Sequence, residues 1–253
     1  MIALGRRARP ARMALAILLA AALALTVTGS MTRHGTTAAI WHPPVRKLTN
    51  GTSLTWAGYD AHTATYTQVS ASWREPTVTC GAGETSYSSF WAGLDGGKAG
   101  DDTVEQTGTD ADCNGGTPTY YAWYEMYPKF ARTLRAPVKA GDSLSASVTV
   151  SGTNLFQLTI TDRTEGWTSS ASQRLMRATR QTAEVIAEAP SSRSGVLPLA
   201  DFGTAYFSAS LVDGAQLGKA NPEAIVMVSS STVKAQPSAL SGGENFSVSW
   251  KHS

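Results

Sequence analysis

Ser143-Leu144-Ser145-Ala146-Ser147-Val148-Thr149-Val150, followed after Ser151-Gly152-Thr153-Asn154 by Leu155-Phe156-Gln157-Leu158-Thr159-Ile160, decides the fold. Apart from Leu155, polar and apolar residues alternate. An extended chain with that period has one apolar and one polar face, and the Gly and Asn between the runs supply a turn. Runs of the same kind, rich in β-branched and aromatic residues, recur at Tyr66–Trp73, Ser88–Leu94, Thr119–Tyr127, Ala205–Leu211, Ala224–Ser229 and Asn245–Lys251. Only Gln173 to Ile186 competes as a helix, and it lacks a sustained apolar stripe. Many short strands without interleaved helices predict an all-β protein, an antiparallel two-sheet β-sandwich of jelly-roll type. No internal repeat is evident, and one domain over residues 51–253 is the economical count.

Charge separates the chain into two parts. Of 21 basic residues seven lie in residues 1–50, where there is no acid, leaving 14 basic against 19 acidic residues in the rest. A body with a net charge of −5 offers little to a polyanion, so a nucleic-acid partner is not expected. Arg6, Arg7, Arg9 and Arg12 precede an apolar run from Met13 to about Val27 and then Thr28-Gly29-Ser30, the layout of a secretory signal peptide over residues 1–30. That run is shorter than the ~20 residues that cross a bilayer comfortably, so export is expected, with no stable membrane association after signal cleavage. Residues 31–50 mix Thr, His, Pro and isolated basic residues without a period that buries a face, and read as a leader or short pro-segment.

Cys80 and Cys113 are the only cysteines, and in an oxidising compartment they most simply form one disulfide, worth about 3–4 kcal/mol in the loop-entropy picture. The four histidines, His34, His42, His62 and His252, fall in the leader, one early loop and the C-terminus. Neither a metal site nor a cofactor is expected from them.

Two strands carry acids inside aromatic stripes. The two-residue period puts Tyr121, Trp123, Glu125 and Tyr127 on one face, and aligns Trp91 with Gly93 and Asp95. Burying an unpaired carboxylate is costly, so such acids are solvated in a cleft, hydrogen-bonded, or raised in pKa. Either strand alone reads as ordinary packing. Together they suggest a groove for an extended polymer, peptide or polysaccharide, and composition does not choose between them.

A set of short motifs does choose. In order they are Thr55-Trp56-Ala57-Gly58-Tyr59, then Trp73 with Pro76-Thr77-Val78, then Trp91-Ala92-Gly93-Leu94-Asp95-Gly96 and Glu105-Gln106-Thr107-Gly108. Ala122-Trp123-Tyr124-Glu125-Met126-Tyr127-Pro128, Ala183-Glu184-Val185-Ile186-Ala187-Glu188 and Ala200-Asp201-Phe202-Gly203 follow. The set resembles the glutamic peptidases (eqolisins) from Leu54 to the C-terminus. The resemblance implies a β-sandwich that cleaves polypeptides in acid with a Gln and Glu pair. It assigns the pair to Gln106 and Glu188, and gives Trp56, Trp91, Asp95 and Glu125 to the substrate cleft. Glu184 and Glu188 share strand parity, so the choice of Glu188 rests on the resemblance alone.

The residue types suit the chemistry. Amide hydrolysis without a metal or a Ser or Cys nucleophile needs a positioned water, a base to deprotonate it and a donor for the oxyanion. A glutamate supplies the base, and a glutamine supplies a carbonyl for the water and an NH2 for the oxyanion. Three departures from the family pattern stand out: Met126 in place of a frequent Trp, Tyr121 in place of a frequent Asp, and Val185 in place of a common aromatic. The sequence thus predicts a secreted, monomeric acid endopeptidase acting on polypeptide substrates. The alternatives are a jelly-roll glycoside hydrolase using Asp95 and Glu125, or a non-catalytic binding module.

Overall fold

A computed structural model of the chain describes His42, Pro43, the backbone of Lys47–Thr49, and residues 51–253. The signal peptide expected over residues 1–30 lies outside the described residues. The chain divides into two compact units, and all the described residues belong to the second, Ala38–Ser253.

Two large, mainly antiparallel sheets make up most of this unit. The first runs in the order Glu223–Ser229, Trp56–Ala61, Ala183–Glu188, Ser89–Leu94, Val104–Asn114, Thr117–Tyr127 and Arg132–Thr133. The second runs Trp167–Arg174, Leu155–Asp162, Ser143–Gly152, Gln68–Arg74, Thr204–Val212, Phe246–Trp250, Thr232–Pro237 and again Glu223–Ser229. Glu223–Ser229 serves both sheets: Glu223 to Ile225 pair with Trp56–Ala61, and Met227 to Ser229 with Thr232–Pro237. Among the described residues the only helix is a short 3₁₀ turn, Leu217–Ala220.

The alternating segments behave as their period dictates. Phe156, Leu158 and Ile160 lie opposite Val150, Val148 and Ala146 and face inward. Thr159 and Thr161 face outward, where their hydroxyls meet Ser170 and Thr168 at 2.9 and 3.0 Å. The 173–186 segment forms no helix: Gln173 and Arg174 end one strand, and Ala183–Glu188 is another.

Between the sheets lies one apolar cluster, to which the first sheet contributes Phe90, Ala92, Leu94, Ala111, Met126 and Val185 and the second Trp73, Leu144, Val148, Phe156 and Phe207. Phe90 meets Phe202 edge to face at 5.3 Å. The Trp73 indole N–H donates across the interface to Thr109 Oγ1 at 3.1 Å. Cys80 and Cys113 are joined in a disulfide. The strands at the middle of the first sheet are covered on both sides, and every residue of Trp56–Ala61, Ser89–Leu94 and Ala183–Glu188 is buried.

Candidate active site

Register builds the site. On the face of the first sheet turned away from the core, Trp56, Glu188, Ser89, Asp110 and Tyr121 lie opposite one another across five strands. Two residues along, the same strands place Gly58, Ile186, Trp91, Gly108 and Trp123 in line. Two further, Asp60, Glu184, Gly93, Gln106 and Glu125 line up. The period of two puts all three rows on one face. Gln106 and Glu188 are therefore on the same surface, with the Trp91 row between theirs.

Glycines make room for the large rings. A Cβ on Gly108 would stand 2.2 Å from the Phe90 carbonyl oxygen and 2.6 Å from Trp91 Cβ. Trp91 then donates its indole N–H to Glu188 Oε2 at 2.8 Å, and Trp56 packs edge-on against it at 4.8 Å. Trp56, Trp91, Trp123, Ile186 and Ile225 form a second apolar cluster, separate from the core. Asp110 accepts from the Trp123 indole at 2.6 Å and from the Tyr121 hydroxyl at 2.7 Å. Tyr121, which replaces the family's frequent Asp, thus orients an acid where that residue would have supplied one.

Asp95, expected to line or organise the cleft, is buried at the end of the Trp91 strand. Its carboxylate accepts from Thr179 N at 2.7 Å, Thr179 Oγ1 at 2.7 Å and Gln181 N at 2.9 Å. These bonds tie Asp95 to the chain that leads into the Glu188 strand.

His42, from the segment read as leader, is seated in the site. Its N–H donates to Glu125 Oε2 at 3.1 Å, and its carbonyl oxygen accepts from Gln106 Nε2 at 2.7 Å. The imidazole stacks on Trp123 with 3.9 Å between centroids and 7° between planes. Gln106 Nε2 also donates to Glu125 Oε2 at 3.0 Å. In this site Gln106 Oε1, Glu125 Oε1 and Glu188 Oε1 are buried and have no hydrogen-bond donor among the described residues.

Burial dominates the electrostatics. It pushes the Glu188 carboxyl up to about 8 against the opposing pull of His42 and the Trp91 hydrogen bond, with Glu125 and Asp110 adding to the rise. Burial also raises Glu125, which His42 partly offsets, and raises Glu184 well above the carboxylate range, with Asp60 adding to it. For His42 burial acts downward, but hydrogen bonds to Asp110 and Glu125 and the charges of Asp110 and Glu188 outweigh it and hold the imidazole well above its ordinary value.

One group among the described residues could hold a metal: Asp60, His62 and Glu223, with donor atoms within 4.8 Å of one another. It lies on strands at the other side of the Glu188 strand from Gln106.

Residues 54–250 match the Peptidase A4 family. The chain belongs to that family. Aspergillopepsin-2 of Aspergillus niger, a relative by sequence, is 28% identical over 178 residues, 62% of this chain and 63% of that protein. The A4 fold is also seen in scytalido-glutamic peptidase bound to a peptide-based transition state analog, at 25% identity and a TM-score of 0.67 over 78% of this chain and 98% of that one. The aspergilloglutamic peptidase of Aspergillus niger aligns with a TM-score of 0.59 at 24% identity, over 66% of this chain and 99% of that one. Within this A4 chain, the sequence reasoning missed His42, Ser89 and Asp110. Asp110 could have been found, because it shares parity with Gln106 once Val104–Asn114 is recognised as a strand. His42 left no such signal.

Proposed function

We propose that the protein is an exported acid endopeptidase in which Gln106 and Glu188 act on one water. The observation that carries this reading is the pair of buried acceptors, Gln106 Oε1 and Glu188 Oε1, on one face of one sheet and without donors among the described residues, beside a Gln106 amide that already holds a peptide carbonyl at 2.7 Å. A water between the two acceptors would donate one hydrogen to each. Ionised Glu188 takes the water proton as the oxygen adds to the scissile carbonyl carbon. Gln106 Nε2 donates to the resulting oxyanion, and its charge state does not change with pH. Glu188 then returns the proton to the leaving nitrogen as the C–N bond breaks. Trp91 steadies the carboxylate through its N–H, and Glu125 orients the Gln106 amide.

The same geometry supports a resting state. With His42 seated and Glu188 buried, Glu188 keeps its proton below about 8 and cannot act as a base in acid. Removal of the leader would admit water and return the carboxyl toward the ordinary value of about 4.3, so that it ionises in the acid range. Residues 31–50 are in this reading an inhibitory pro-segment. A glycoside hydrolase using Asp95 and Glu125 has less support, because Asp95 accepts three hydrogen bonds from residues 179–181.

Digestion of a protein substrate near pH 3–4, with the products mapped by mass spectrometry, tests the proposal. Glu188→Gln is expected to lose about 10²–10⁴ in rate and Gln106→Ala about 10²–10³. Full activity in either variant would overturn the pairing, and cleavage of polysaccharide in place of protein would overturn the reaction class.

A further inference from the structure

His42 is gripped on its ring as well as its backbone. Nδ1 meets Glu125 Oε2 at 3.2 Å and Nε2 meets Ser89 Oγ at 3.0 Å, with Asp110 Oδ1 3.7 Å away. The ring lies nearly parallel to Trp123, and the residue is 1% exposed. Each feature addresses a different property of imidazole. The indole face takes a flat ring, and two partners on different strands receive the nitrogens at its two edges. Acids stand around the ring on three strands of this face: Asp110 and Asp112 on one, Glu125 on the next and Glu188 beyond Ser89. A phenyl ring would stack but give up the Nδ1 contact to Glu125 and the Nε2 contact to Ser89. A lysine would match the charge but forgo the stacking and one of the two edges.

We propose that Ser89, Asp110, Trp123 and Glu125 form a subsite selective for a histidine side chain, on peptides whose carbonyl at that residue rests on the Gln106 amide, and that His42 is the chain's own occupant of it. The proposal rests on the peptidase reading for the reason a peptide arrives there, whereas selection at the subsite requires no turnover.

Binding by calorimetry separates the two. The full chain carrying Glu188→Gln to suppress turnover and His42→Ala to empty the subsite is titrated with Ile-Trp-His-Pro-Pro, the sequence of residues 40–44. The same peptide with Phe, Lys or Gln in place of His is titrated alongside. If the His42→Ala chain is unstable, His42→Gln, closer in volume, takes its place. The His peptide is expected to bind at least tenfold tighter than the other three. Adding Ser89→Ala should reduce that advantage severalfold while leaving the Phe peptide within about twofold. Equal binding of the four peptides, or a preference for Phe, overturns the subsite. Selection of His by a protein whose form freed of residues 31–50 hydrolyses no peptide removes the peptidase reading and leaves the subsite standing. Hydrolysis without His selection does the reverse.

Discussion

The two faces of the first sheet are made by the same strands and are both buried, yet their central strands differ in what they bury. Toward the second sheet stand Phe90, Ala92, Leu94, Val185 and Ala187. Away from it stand Glu188, Asp110, Gln106, Glu125 and Glu184, all fully buried. Burial of the first set drives folding. Burial of the second opposes it, because each carboxyl must stay protonated or find a partner. One sheet thus keeps its fold and its chemistry on separate sides, and a substitution on one side should leave the property of the other intact.

The sharpest break of that comparison pairs Glu188→Gln with Phe90→Ala. The first should remove nearly all hydrolysis and leave the thermal midpoint unchanged or raised at pH 8, where the native side chain begins to ionise. The second should cost about 3–5 kcal/mol of stability, read by denaturant unfolding. Loss of stability in Glu188→Gln comparable to that in Phe90→Ala would contradict the division.

Next comes the response to pH. Burial raises Glu75, Glu105, Asp112 and Glu184 well above the carboxylate range. A carboxyl whose folded pKa lies above its unfolded value binds its proton more tightly when folded. Its contribution is present in acid and is lost as pH rises from about 4.3 through the folded value. The raised His42 has the same sign, since its cation is favoured in the folded state. The midpoint in calorimetry should therefore fall between pH 4.5 and pH 8, and a rise over that interval would refute the account. The smallest effect expected is at Asp95: Asp95→Asn weakens the brace on residues 179–181 by about 1–3 kcal/mol, seen as faster amide exchange through Ala183–Glu188 than in Ser143–Asp162.

These faces also explain what could be read from the sequence. Ser143–Gly152 and Leu155–Asp162 announce themselves because one side meets the core and the other meets water, which forces alternation. Val104–Asn114 does not. Ten of its eleven residues are buried, and it carries polar groups on both sides, Gln106, Asp110 and Asp112 on one and Glu105, Thr107 and Thr109 on the other. No hydropathy period survives that arrangement, so this eleven-residue strand is not among those the sequence predicts, and Gln106 is identified only through its Gln-Thr-Gly setting. Trp167–Arg174 was missed for the converse reason: none of its residues is fully buried. His42 was beyond local reasoning altogether, since its partners lie 47 to 83 positions away.

Gly108 leaves its mark on how such a chain can change over generations. Any side chain there collides with the Phe90 carbonyl and with the base of Trp91, the ring that holds Glu188. A lineage cannot fill that position and keep the indole. Both would have to alter together, and each change alone is harmful, so drift at this point is locked by a missing atom as firmly as by any reactive one.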